Sequence, residues 1–208
     1  MNAGTLPHHL NVVAAALLTA STVLAAPQVA RAQVRQAGAP ALTAPLSTVR
    51  AALDKYQNPL VAVRDGYLSS VSCIAFPQGT MDGTVQYKPG AMGVHFINMG
   101  NVSPKLDPAK PQVLIYQPVG DELRLVAAEW FIPAQMVKAG PKPRIFDQEM
   151  QGPMPGHEPI MPAALSHYDL HVWLWEANPL GVFEPTNSKV SCPKGGYSHF
   201  ETGTHAKH

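Results

Sequence analysis

The stretch His167-Tyr168-Asp169-Leu170-His171-Val172-Trp173-Leu174-Trp175 places two imidazoles and a carboxylate at alternate positions. Its aromatic and β-branched residues predict a strand. Side chains alternate faces along a strand, so His167, Asp169, His171, Trp173 and Trp175 share one face. Tyr168, Leu170, Val172 and Leu174 share the other, the apolar and core-facing one. Imidazole with carboxylate is the donor chemistry of a divalent-metal or proton-handling site. Asp169 can also act by orienting a neighbouring histidine. Same-face neighbours on a strand stand roughly 7 Å apart, and His167 and His171 about twice that. An ideal strand therefore lets only one of the two bind a given ion.

Other residues can complete such a site. His95 lies in Gly93-Val94-His95-Phe96-Ile97-Asn98, on the face opposite Val94 and Phe96. Glu129 interrupts the apolar run Val126 to Ile132, where a lone acid marks either an edge position or a buried functional carboxylate. His157 and Glu158 sit in a proline-stiffened loop. The candidate metal ligands are thus His95, Glu129, His157, His167 and His171, with Asp169 and Glu158 behind them. The donor set suits Zn, Cu, Mn or Fe. If the site is catalytic, Glu129 or Glu158 is the acid–base candidate. Three competing readings stand beside this one. The histidines can be interior or rim residues paired to backbone and carboxylates. Met150, Met154, His157 and Met161 lie close along one loop, a donor set suited to copper. Trp130, Trp173, Trp175 and Tyr168 can line an apolar pocket, making the protein a non-enzymatic binding module for a small molecule or a surface. No Gly-x-Ser-x-Gly elbow, Gly-x-Gly-x-x-Gly loop or Walker pattern occurs. The His-x-His of a cupin-type site is absent too.

The elements that must hold these residues are mostly strands. The chain has 208 residues, with 21 Pro and 16 Gly, which favours turns and ordered loops over a helical bundle. Charged residues make up 14% and the net charge is +1, so no basic surface for nucleic acid is present. Val49, Leu53 and Tyr56 repeat at helical spacing, with Ser47 or Thr48 as N-cap. Pro59 opens a second short turn, Leu60 to Asp65, closed by Gly66. Strands are expected at residues 67–76, 93–98, 112–116 and 123–132, the last two joined by a turn at 119–122. Residues 78–93 read as a Gly-rich loop, 139–162 as a long ordered loop, and 176–190 as a turn-rich arm.

Residues 1–32 read as a secretory signal. An uncharged run from Leu10 to Ala26 precedes Ala30-Arg31-Ala32, with cleavage before Gln33 or after Ala25 or Ala26. The n-region lacks Lys and Arg, and an uncleaved membrane anchor is the alternative. No later segment is apolar for long enough to span a bilayer. The protein is therefore expected in the periplasm or the medium, free of the membrane after cleavage. In that oxidising setting Cys73 and Cys192 are expected to form a disulfide. Residues 33–45 read as a disordered linker, 46–193 as a single domain, and 194–208 as a flexible tail with His199, His205 and His208.

Several stretches resemble a family of exported bacterial proteins, largely described as hypothetical. They are Lys55-Tyr56-Gln57 with Asp65-Gly66-Tyr67, residues 90–96, residues 125–130, and Gly152-Pro153-Met154-Pro155-Gly156-His157-Glu158-Pro159 through His167 to Trp175. Asn178-Pro179 and Val190-Ser191-Cys192 also fit. The resemblance covers roughly residues 48–192 and implies export and domain extent, with no activity attached. This chain departs from the pattern at Asn98-Met99-Gly100 and in the added Ala163-Ala164-Leu165-Ser166. The expected architecture is α+β and mostly β: an antiparallel sheet or open barrel with one N-terminal helix and long Pro-rich loops.

Overall fold

The computed structural model describes Met1, residues 40–158 and 161–193, and the backbone of 198–200. The expected leader, most of the linker and most of the polar tail lie outside the described residues.

Helix α1 spans Ala44–Leu53, continues as a 3-10 turn through Gln57, and is followed by α2 at Pro59–Arg64. Leu46, Val49, Leu53 and Tyr56 form the buried face. The helix begins earlier than the caps expected at Ser47 or Thr48, because Pro45 suits a first turn whose N–H groups have no partner. Thr43 is the N-cap, and the Ser47 and Thr48 hydroxyls donate back to the Ala44 carbonyl. Asn58 caps α2 by accepting from the Leu60 N–H, and Gly66 ends it at positive φ.

Apart from 3-10 turns at Met99–Asn101 and Ala134–Met136, the remaining described elements are strands: β1 Leu68–Phe76, β2 Thr80–Asp82, β3 Val85–Tyr87, β4 Gly90–Ile97, β5 Val113–Val119, β6 Glu122–Pro133, β7 Arg144–Ile145, β8 Gln148–Glu149, β9 Gln151–Met154, β10 His167–Val172 and β11 Ser198–Phe200. Six of them form a curled antiparallel sheet, a half-barrel, in the order β1-β4-β5-β6-β10-β9. The backbone of β11 adds in parallel to β1. The expected Gly-rich loop at 78–93 is in fact the β2–β3 hairpin and the start of β4. The long loop at 139–162 contains β7, β8 and β9, and β9 pairs with β10.

Both faces of the sheet are buried. The helices cover the outer face, where Leu46, Leu53 and Tyr56 pack on Leu114, Tyr116, Trp130, Leu170 and Val172. The inner face carries Ala75, Ala91, Val113, Ile115, Ala127, Phe131 and Trp173, with Met161 and Leu165 closing over it from the 155–166 loop. The histidine face of β10 is therefore as enclosed as its apolar face. The strand ends at Val172, so Trp175 leaves the alternation and joins the outer cluster. Cys73 and Cys192 form a disulfide with a Cα–Cα distance of 5.6 Å, joining β1 to the end of the 176–190 arm.

Candidate metal centre

Register sets which polar residues meet. His171 of β10 stands directly opposite Glu129 of β6. Glu129 also pairs with Val113 of β5, and His95 of β4 pairs with Ile115 of β5, two residues away. His95 and His171 are thus three strands apart, about 14 Å across a flat sheet. Curling of the sheet turns their side chains toward each other, and the ring centroids are only 6.3 Å apart. Small residues on this face leave room for the convergence. Gly93, at φ 114°, lies so close to β5 that a Cβ there would meet the Tyr116 carbonyl oxygen at 2.6 Å.

Glu129 Oε2 lies 3.3 Å from His171 Nε2 and 3.6 Å from His95 Nε2. Donors placed 2.0–2.1 Å from a tetrahedral ion stand about 3.4 Å from one another, so both spacings suit a shared cation. None of the three residues is more than 4% exposed. Glu129 Oε2, both nitrogens of His171 and His95 Nδ1 have no hydrogen-bond partner among the described residues. Leaving buried polar atoms unpaired costs about 1–3 kcal/mol each.

The same burial sets protonation. Desolvation lowers the His95 pKa to about 3, with the charge on His171 adding to the effect. Desolvation likewise lowers His171 to about 4, against the partial support of Asp169. Burial raises Glu129 well above its ordinary value, and the nearby Asp169 raises it further. Burial thus favours the neutral form of all three groups, two imidazoles and one carboxyl. Neutral imidazole is the form that ligates a metal, while the carboxyl must give up its proton to do so.

A second group lies along the same row. His157, His167 and Asp169 each offer a donor atom within 4.8 Å of the others, and all three are buried. His167 Nε2 stands 3.7 Å from Asp169 Oδ2. Burial alone would raise the Asp169 pKa. The adjacent imidazole of His167, with those of His171 and His157, outweighs it and holds the carboxyl below its usual range. His157 comes from the loop after β9. Tyr87 Oη lies 3.3 Å from its Nε2, and Asp82 Oδ2 lies 4.0 Å from its Nδ1.

The five expected ligands are therefore all buried, His95, Glu129 and His171 in one set and His157 and His167 in the other, where Asp169 is the third donor. His167 and His171 join different sets, as strand spacing requires. Asp169 is a donor in the second set as well as a neighbour of the histidines. Glu158 does not stand behind the ligands. Its carboxylate is at the surface and accepts from the Ala163 N–H, which pins the loop. Asp82 and Tyr87 escape sequence reasoning because their hairpin is short. A usable signal existed in Gly83 at the first position of a two-residue turn.

The competing arrangements fare differently. Met150, Met154 and Met161 pack in three separate clusters rather than at one copper site. The tryptophans are core residues, each donating from the indole to the Asp107 carbonyl, the Glu184 carbonyl or the Asp54 carboxylate. Two surface hollows, of about 370 and 500 Å³, are lined by neither the tryptophans nor the histidines. Among the described residues no helix is long and apolar enough to cross a membrane. No protein-family model, curated protein or solved structure matches the chain.

Proposed function

We propose that this is an exported protein that holds a divalent transition-metal ion at His95, Glu129 and His171. The observation that carries the reading is the convergence of three buried donors from three strands at coordination spacing, with Glu129 Oε2 and His171 Nε2 lacking a hydrogen-bond partner among the described residues. A row of this kind costs stability in the metal-free fold, and a bound cation offsets that cost. Two imidazoles and one carboxylate suit Zn, Cu, Mn or Fe, with zinc the ion to try first because its tetrahedral geometry matches the spacing. Glu129 acts as a ligand rather than as a free acid–base group. The burial of all three donors favours retention of an ion over turnover of a substrate. Export is supported by the leader-like residues 1–32, by the Cys73–Cys192 disulfide and by the resemblance to exported bacterial proteins.

The test is equilibrium dialysis of the mature chain, purified without a His tag or chelator, against zinc, followed by elemental analysis. His95→Ala/His171→Ala is expected to bind one ion per chain fewer than wild type. A double variant that folds and retains the full complement overturns the proposal.

A further inference from the structure

The geometry points to a second, separately loaded divalent-cation site formed by His157, His167 and Asp169, closer to solvent than the first. It extends the metal-binding reading above and rests on that reading only for the class of ligand.

The argument begins with a proton. His167 Nδ1 lies 3.2 Å from the Leu165 carbonyl oxygen, which can only accept. Nδ1 therefore carries a ring proton, in the tautomer that leaves the Nε2 lone pair available to a metal. That lone pair faces Asp169 Oδ2 at 3.7 Å, within a region where neither residue is more than 2% exposed. Two acceptors facing each other in the interior repel unless a cation lies between them. The gap is too long for a hydrogen bond and near the roughly 3.4 Å between donors of one tetrahedral ion. Asp169 Oδ1 and His167 Nε2 have no hydrogen-bond partner among the described residues. A backbone carbonyl that fixes the second nitrogen of a ligating histidine is the usual support of such a site.

The third donor is held by a stiff arm. Met154 pairs with His167 across β9 and β10, which fixes the start of the loop carrying His157. The Gly156 N–H donates to the Ala163 carbonyl, the Met161 N–H donates to the His157 carbonyl, and the Glu158 carboxylate accepts from the Ala163 N–H. Gly156 is packed so closely against the Pro162 carbonyl that no larger residue fits. The added residues Ala163 to Ser166 thus help close the arm. Tyr87 abuts one nitrogen of the His157 ring, and the Asp82 carboxylate, with Oδ2 unpaired, lies on the side of the other.

Two features separate this site from the first. His167 and His171 are four residues apart on one strand, about 13 Å, so the two sets of donors need two ions. His157 and Asp82 each retain 9% exposure, whereas no donor of the first set exceeds 4%. The ion held by His157 is the one expected to exchange quickly.

The test uses the mature, tag-free chain with zinc as the probe, read by stoichiometry and by the rate of release to a chromogenic chelator. Wild type is expected to bind two ions, released in a fast and a slow phase. His157→Gln should bind one ion and lose only the fast phase. His95→Ala/His171→Ala should bind one ion and lose only the slow phase. Asp82→Asn, at the rim, should keep the fold and speed the fast phase about 10- to 100-fold, as loss of a supporting partner does. A second ion retained by folded His157→Gln overturns the proposal. Should that variant fail to fold, an unchanged fast phase in Asp82→Asn overturns it instead. A single wild-type ion lost only in His95→Ala/His171→Ala also overturns it while leaving the first site standing. A single ion lost only in His157→Gln supports this site and removes the first.

Discussion

Acidifying the metal-free protein should unfold it through His95 and His171. Their folded pKa values, about 3 and about 4, lie below the 6.5 expected of an unfolded histidine. Between those values the unfolded chain takes up protons that the folded chain refuses. The stability associated with neutral burial is therefore complete above pH 6.5 and declines as pH falls toward the folded values. From pH 7 to pH 5 each histidine contributes a loss of about 2 kcal/mol, and the pair about 4 kcal/mol. Glu129 acts in the opposite sense. Its raised pKa costs stability as pH rises from the ordinary carboxyl range toward its folded value, and acidification restores it. Asp169, with its lowered pKa, matters only below pH 4. Glu129→Gln removes the opposing contribution and keeps a neutral side chain in place. Urea unfolding by tryptophan fluorescence, in chelator, should then show the pH 5 deficit in Glu129→Gln. Adding His95→Gln and His171→Gln should reduce that deficit by about 4 kcal/mol. An equal deficit with and without the two histidines would refute the claim that burial holds them neutral.

Because burial raises the Glu129 pKa, zinc binding should release protons to an extent that grows as pH is lowered, measured by calorimetry in two buffers of different ionisation enthalpy, and Glu129→Gln should abolish that release. Reducing out the disulfide as Cys73→Ser/Cys192→Ser should lower stability by an amount on the order of 4–5 kcal/mol in urea, since the closed loop covers a separation of 119 residues. Gly93→Ala should cost roughly 3 kcal/mol or more in thermal unfolding, because the new Cβ would meet the Tyr116 carbonyl at a positive-φ position. It should also weaken zinc binding by displacing His95. Gly120→Ala, at φ 59° with no atom within 4 Å, should cost only about 1 kcal/mol in the same assay.

Much of the framework can be read from local pattern. The buried helix face follows from the 3.6-residue repeat of Val49, Leu53 and Tyr56. Glu129 announces itself as a charge in an apolar run, and the two cysteines of an exported chain have only each other. The hairpin carrying Asp82 and Tyr87 is harder to see, because three-residue strands are too short to show alternation. The depth of the histidine row is also invisible locally. Residues that look like the solvent side of β10 are covered by Met161 and Leu165, from a stretch whose Pro-rich sequence reveals stiffness but not destination. Glu158 illustrates the converse: its neighbour His157 points inward, while its own carboxylate secures the loop at the surface.

The sequence by itself determined which side chains share a face. Alternation is a steric property of each strand, so His167, Asp169 and His171 share one face of β10, and His95 and Glu129 each lie opposite their apolar neighbours. It also determined that His167 and His171 could not serve one ion. Only the tertiary structure decided which donors meet. That depends on strand order, on the register of His171 with Glu129, on the irregularities in β1 and β5 pairing, and on the curl that brings His95 across an intervening strand. These quantities are set by the packing of the whole sheet, and no local stretch of chain contains them.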